Sequence, residues 1–367
     1  MRTSPIVLPP RLRPRDGRFG SGPSLIRGEA VAALVAAAPS YLGTSHRADP
    51  VRRVLRRIRE GVAALYGLPD DYEVAVGNGG ATLFWDAACF SLIEARSLHY
   101  TFGSFSQRFA EAVAAAPHLA DPAIVAAAPG SRPDPVGAGD ADAVALIHNE
   151  TSTGVWMPVI RPRGEALVLV DATSAAGALE ATPAEFDAYY FSPQKAFGSE
   201  GGIWVAALSP AAVERAARLS SDRWIPPTLD LAAAITQSRL DQTMNTPALA
   251  TLFLLANQID WLAQRGGIPW AADRCRASAA SLYTWAERSS RARPFVPDPR
   301  HRSPTTVTLA VEGAEAVAEA LGGNGYLDTG GYRGIGAGTL RFGIFPHTDP
   351  ADVERLTGAL DFITDRL

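Results

Sequence analysis

The segment Ser192-Pro193-Gln194-Lys195-Ala196-Phe197-Gly198 follows an apolar run, and it keeps a lysine in a chain extremely rich in arginine. A lysine just beyond a buried strand lies where an α/β sheet binds its ligands. Partial desolvation there lowers the pKa of the amine and frees a nucleophile for a carbonyl. Arginine cannot deprotonate and so cannot form an imine, which is a reason for position 195 to stay lysine. Taken by itself, the segment also reads as a surface loop. Upstream, Val168-Leu169-Val170-Asp171 puts a carboxylate at the C-terminal end of a strand. Asp171 can pair with a protonated pyridine nitrogen and keep such a ring an electron sink. One short connection and one strand separate Asp171 from Lys195, so both reach one ring from neighbouring strands.

Three other strand ends carry groups suited to the same ligand. Gly77-Asn78-Gly79-Gly80-Ala81-Thr82 joins a strand to a helix. Its glycines let the backbone approach a phosphate, and the helix N-terminus offers N–H donors and a positive dipole end. It fits neither GxGxxG nor the GxxxxGK pattern, which disfavours NAD and ATP; a plain tight turn is the alternative. Gly103-Ser104-Phe105 opens another helix, where Phe105 either stacks on a flat ring or belongs to the core. His148-Asn149-Glu150-Thr151-Ser152-Thr153-Gly154 offers hydroxyl and amide groups to a ring substituent, or forms an N-cap or Asx turn. Each signal is modest. Together they set a phosphate cradle, a ring stacker, a pyridine-nitrogen acid and an imine-forming lysine at separate strand ends, in one order.

Such positions need a sheet that presents its strand ends along one edge. Residues 1 to about 24 are rich in Pro, Arg and Gly and read as an arm. Val51, Val54, Leu55, Ile58, Val62 and Leu65 follow helical spacing from Asp49 or Pro50 to about Tyr66. Arg52, Arg53, Arg56, Arg57 and Arg59 fall largely off that stripe and read as a solvated face. Strands are expected at 72–76, 97–101, 124–127, 143–148, 167–171, 188–191 and 203–208, helices at 81–95 and 107–116, and a loop at 128–142. Short apolar runs between helices and glycine turns indicate an α/β fold with a mostly parallel sheet buried on both faces. A helical pattern from Pro247 to Gln264 breaks at Gly266-Gly267. Beyond it come a helix, a strand at 306–311, a helix, a strand at 339–344 and a final helix from Pro350, a pattern suited to a smaller α+β domain. The expected division is an arm at 1–24, a large domain at 25–264 and a small domain at 265–367.

Bulk properties agree. At 367 residues, two domains of about 100–200 residues are the default. A hydrophobic share of 47% and a charged share of 20% exclude a disordered chain. The formal net charge of -4 sets up no global field for nucleic acid or acidic membrane. Cys89 and Cys275 form no CxxC pair, so no zinc site or disulfide framework is expected. The N-terminus lacks the apolar core of a signal peptide, and no run of about 18 apolar residues appears. A cytoplasmic protein with no metal, nucleic-acid or membrane partner is expected.

The order of these groups resembles the fold-type I pyridoxal-phosphate-dependent transferases, in the class V aminotransferase group, and within it the phosphoserine aminotransferases. The likeness runs from Phe19-Gly20-Ser21-Gly22-Pro23-Ser24 to the last helix. It is strongest at Gly43 to Arg47, Gly77 to Trp85, His148 to Val155, Val170 to Ser174, Asp187 to Lys195 and Gln242 to Ala248. The resemblance implies pyridoxal 5′-phosphate held as a Schiff base at Lys195, which then shuttles the proton, with Asp171 on the pyridinium. It implies Phe105 on the ring face, where many relatives carry Trp, and Thr151 at the ring hydroxyl. Gly80, Ala81 and Gln194 would bind the phosphate, with Ala81 standing where many relatives have Arg, and Thr173 joins this set. Asn245 and Thr246 would reach the same phosphate from the other subunit, so a homodimer is obligatory. The implied reaction is ping-pong amino transfer from L-glutamate to 3-phosphooxypyruvate, giving 2-oxoglutarate and O-phospho-L-serine. Arg341 is the implied α-carboxylate clamp. His46, Arg47 and Arg333 resemble the distal anion site, with His46 and Arg47 shared across the dimer. Tyr332 stands where many relatives have His, and the stretch to Arg341 is longer. A related class V transaminase acting on another small 2-keto acid is therefore the alternative. A cysteine desulfurase fits less well, because no cysteine lies in a loop after the lysine.

Overall fold

The computed structural model describes residues 6–335 and 338–367. Its elements are α1 (Gly28–Tyr41), α2 (Asp49–Tyr66), β1 (Glu73–Asn78), α3 (Ala81–Ser91), β2 (Ser97–Thr101), α4 (Ser104–Ala114) and β3 (Ala123–Ala126). Then follow β4 (Ala143–Ile147), β5 (Asn149–Glu150), β6 (Val155–Trp156), β7 (Leu167–Asp171), β8 (Ala188–Phe191) and β9 (Ile203–Leu208). After these come α5 (Pro210–Asp222), α6 (Leu231–Arg239), α7 (Leu249–Ala263) and α8 (Gly267–Arg288). The chain finishes with β10 (Ala292–Pro294), β11 (Thr306–Val311), α9 (Ala314–Gly323), β12 (Thr339–Gly343) and α10 (Pro350–Thr364).

A seven-stranded sheet runs in the order β1-β9-β8-β7-β4-β2-β3. Strands β3, β2, β4, β7 and β8 pair in parallel, and β9 runs against both of its neighbours. The mostly parallel α/β sheet is thus present. Its strands are apolar on both faces because each face is covered. Val144, Leu146, Val168, Val170 and Phe191 enter one core, and Ala143, Ala145, Leu167, Leu169 and Tyr190 enter the other. The alternation is that of a pleated strand. A second, three-stranded sheet, β10-β11-β12, carries its own core with α8, α9 and α10. Helix α8 spans both cores, giving Ile268 and Ala271 to the first and Leu282, Tyr283 and Ala286 to that of the small sheet.

The N-terminal arm is built into the small sheet. Gly343 N donates to Phe19 O (2.7 Å), and Leu327 N donates to Gly17 O (2.7 Å). The Phe19 ring meets Phe342 edge-on at 6.4 Å. Ser24 then crosses to the other sheet, its hydroxyl donating to Lys195 O at 2.7 Å.

Differences from the sequence expectation have local causes. Helix α3 stops at Ser91, because the Asp142 carboxylate accepts from the amides of Glu94, Ala95 and Arg96 at 2.7–2.8 Å and draws that segment out of the helix. Helix α4 starts at Ser104, earlier than expected, because the Glu150 carboxylate accepts from its first-turn amides. The arginine face of α2 is docked rather than purely solvated: Arg56 and Arg59 both donate to Asp241, at 2.8 and 2.9 Å. Helices α1, α5 and α6 went unforeseen.

Candidate active site

In a sheet whose strands run parallel, the C-terminal ends share one edge, and here five of them meet. The segments after β1, β2, β4, β7 and β8 bring Gly80, Phe105, Thr151, Asp171 and Lys195 to one cavity of about 240 Å³. Ala81, Thr173, Gln194 and Arg341 line it too, the last contributed by β12 of the small sheet.

Lys195 is buried, and its Nζ donates to Thr151 Oγ1 at 2.7 Å. The ammonium lies 5.2 Å from the centre of the Phe105 ring. Burial depresses its pKa to about 8, with Arg341 pressing the same way and Asp171 and Glu150 opposing. The amine is therefore partly free near neutral pH, as an imine-forming nucleophile requires. Space for its stem is kept by Gly22: at φ +133, a Cβ there would lie 2.7 Å from Lys195 Cε.

Asp171 receives two hydrogen bonds, from Trp85 Nε1 at 2.9 Å and from its near neighbour Thr173 N at 2.9 Å. Burial raises its pKa, and these donors and the Lys195 charge oppose the rise. A protonated ring nitrogen beside it would restore the partner that burial removed.

Thr151 is the hub of the lysine side. Its hydroxyl donates to Ser174 Oγ (2.9 Å), which in turn donates to Asn149 O (2.7 Å). With its proton committed to Ser174, the Thr151 oxygen is free to accept from the amine. The Thr151 carbonyl accepts from Arg341 Nη1 at 2.9 Å. The Arg341 guanidinium lies 5.0 Å from the Tyr332 ring, which leans on Phe105 at 5.6 Å. Its Nε is buried and has no hydrogen-bond partner. A half-buried guanidinium whose Nε–H is unspent is a receptor for an anion.

The cavity also fits a phosphorylated aromatic aldehyde. Gly80 is the N-cap of α3, and a Cβ there would meet only Ser192 Oγ, at 3.9 Å, so the approach to the helix end is open. First-turn amides of a helix have no intrahelical acceptor and point at that space. Buried Gln194 Oε1 has no hydrogen-bond partner either.

Five expected positions lie elsewhere. Asn245, Thr246, His46, Arg47 and Arg333 are not among the described residues that line the cavity. His46 Nδ1 and Thr246 Oγ1 are 3.2 Å apart, and Asn78 Nδ2 donates to Thr246 O at 3.1 Å, so His46, Thr246 and Asn78 form a separate surface cluster. Arg47 and Arg333 are exposed.

Sequence reasoning assigned no role to Trp85, Asn149 or Ser174. Trp85 sits four residues after Ala81 in α3, hence on the same face of the helix, which was a readable signal. A stronger one was also present: of 34 Lys and Arg residues, Lys195 is the only lysine.

A sequence profile described as Aminotransferase class-V matches residues 138–356. A phosphoserine aminotransferase of Nocardioides sp. (strain ATCC BAA-499 / JS614) is 51% identical over 100% of both chains. The chain belongs to the class V aminotransferases. A second phosphoserine aminotransferase, of Rhodococcus jostii (strain RHA1), is 50% identical, again over 100% of both chains. Among solved structures, the phosphoserine aminotransferase of Cytophaga hutchinsonii superposes with a TM-score of 0.86 at 26% identity, covering 94% of this chain and 99% of that one. Membership fixes the fold as that of the fold-type I transferases and makes this class V aminotransferase an enzyme dependent on pyridoxal phosphate.

Proposed function

We infer that this chain transfers an amino group between L-glutamate and 3-phosphooxypyruvate, giving O-phospho-L-serine and 2-oxoglutarate, as a step in making serine. The observation that carries the reading is the half-buried guanidinium of Arg341, whose buried Nε has no hydrogen-bond partner, in the cavity that holds Lys195. Identity of 51% with a phosphoserine aminotransferase over the full length supports the acceptor.

Pyridoxal phosphate supplies an electron sink for the charge that develops when the substrate α-carbon loses its proton. Lys195 holds the cofactor and moves that proton on its Nζ. Asp171 keeps the ring nitrogen protonated, and Phe105 fixes the ring plane. Thr151 holds the ring hydroxyl, and Gly80, Ala81, Thr173 and Gln194 hold the phosphate end. Arg341 takes the α-carboxylate common to donor and acceptor through forked hydrogen bonds. One site then serves both half-reactions in turn.

The enzyme works as a homodimer in this reading. The cluster of His46, Asn78 and Thr246, which Asn245 joins by donating its N–H to Asn78 Oδ1, lies outside its own cavity, which fits a role in the partner subunit's site, with Arg47 next to His46 in the chain. Helix α1 exposes Val31 and Val35, and Leu42 just beyond it is exposed too, an apolar surface suited to a second copy. Arg333 completes the distal anion site from its own chain. We place the enzyme in the cytoplasm, a setting that suits its two free, buried cysteines. No helix among the described residues is long and apolar enough to cross a membrane.

The test is purified holoenzyme with glutamate and 3-phosphooxypyruvate. Phosphoserine should accumulate with 2-oxoglutarate in equal amount; its absence from cofactor-loaded protein would refute the assignment. Tyr332, stacked on Arg341, favours a second reading with a different 2-keto acid. A panel of acceptors against glutamate separates the two, since preference for an unphosphorylated acceptor selects the second.

A further inference from the structure

Glu150, the last residue of β5 and the neighbour of Thr151, is fully buried, and its surroundings are unusual for a carboxylate. Its oxygens accept from Phe105 N (3.3 Å), Ser106 N (2.9 Å), Ser152 N (3.2 Å) and Ser152 Oγ (2.6 Å). Ser152 Oγ in turn accepts from Ser104 N at 2.9 Å. The first three amides of α4 are thus capped from a different element. The N-cap residue itself, Gly103, has no side chain to do so, and one would not fit: a Cβ there would lie 2.4 Å from Glu150 Cγ and 2.6 Å from Ser152 Oγ. The glycine and the distant carboxylate are complementary parts of one joint. An anion at a helix N-terminus is also favoured by the helix dipole.

What this joint holds in place is the reacting region. Phe105, whose ring lies beside the lysine amine, is the second residue of the capped turn. On the other side of Glu150, Thr151 contacts Lys195 through its hydroxyl and Arg341 through its carbonyl. We propose that Glu150 is a positioning residue: a carboxylate cap that fixes the Phe105 ring over the cofactor site and sets a counter-charge near Lys195 and Arg341 before substrate arrives. The charge is felt at the amine, where Glu150 favours the protonated form.

The proposal rests on the cofactor-site reading above, but its test does not depend on turnover. Lys195 is the sole lysine, so its reactivity toward an amine-directed reagent can be followed against pH in apoprotein by peptide mass. Glu150→Gln removes the charge and sets an amide N–H against Phe105 N or Ser106 N. In a folded Glu150→Gln protein the midpoint of Lys195 labelling should move down by about half a pH unit or more. Affinity for pyridoxal phosphate should fall about tenfold or more. Glu150→Asp keeps the charge and should hold the labelling midpoint near that of the parent while still binding the cofactor less well. Parental midpoint and affinity in Glu150→Gln would overturn the proposal. Should Glu150→Gln fail to fold, Ser152→Ala decides, since it removes the 2.6 Å donor and the Ser104 cap but no charge. A loss of cofactor affinity of about threefold or more supports the joint, and parental affinity overturns it.

Discussion

Trp85 Nε1 donates to Asp171 Oδ2 at 2.9 Å, so the helix that begins beside the cavity at Gly80 also steadies the acid on β7. Trp85→Phe keeps the ring and deletes the donor. Losing one hydrogen bond to a buried charge costs about 1.5–3 kcal/mol. Cofactor affinity should therefore drop about tenfold to a hundredfold, with the fold intact by circular dichroism. Unchanged affinity would remove Trp85 from the site.

Arg341→Ala should weaken glutamate and 3-phosphooxypyruvate together, by about 2–5 kcal/mol each, because both carry the same α-carboxylate. Half-reaction titrations followed by cofactor absorbance measure the two separately. Damage to one substrate only would assign the guanidinium to the distal group.

Complementation tests the shared site. Lys195→Ala and the double variant Asn245→Ala/Thr246→Ala should each be weak or inactive. Mixed after dissociation, they should regain about a quarter of the parental rate, since half the dimers would carry one intact site. No recovery on mixing would place Asn245 and Thr246 outside the partner's site.

Acid stability follows from three buried histidines. Burial lowers the pKa values of His99, His148 and His347 to about 3 in the fold. The unfolded chain protonates them near the ordinary value of about 6.5. Between these limits the unfolded state binds more protons, so stability is present above pH 6.5 and is lost as pH falls toward 3. Three such groups together cost about 4 kcal/mol per pH unit well below 6.5. The urea midpoint should therefore fall steeply from pH 6 to pH 5. A flat profile would mean that these rings are charged or hydrated in the fold.

Much of this site was readable from local sequence, and the unread parts have a common cause. The apolar runs ending at Thr101, Ile147, Asp171 and Phe191 mark strands by burial, which composition reports directly. Lys195, Asp171 and Phe105 were therefore expected at strand ends, and the fold brings all three to one cavity. The true starts and stops of α3 and α4 depend on the carboxylates of Asp142 and Glu150, which come from distant parts of the chain. Trp85 and Asp171 are 86 positions apart, and only the packing of α3 against the sheet joins them. Residues 30–38 of helix α1 are all Ala, Val or Leu, without the polar stripe that marks an amphipathic helix. Its apolar character fits a surface covered by another molecule better than a solvated helix.

Lys195 is the residue proposed to carry the cofactor. Because the chain has no other lysine, borohydride reduction of the holoenzyme followed by peptide mapping gives an unambiguous answer. The pyridoxyl mass should appear at Lys195 in one-to-one ratio with the chain and vanish in Lys195→Arg. An unmodified Lys195 in cofactor-saturated protein, or a label confined to the N-terminal amine, would contradict it.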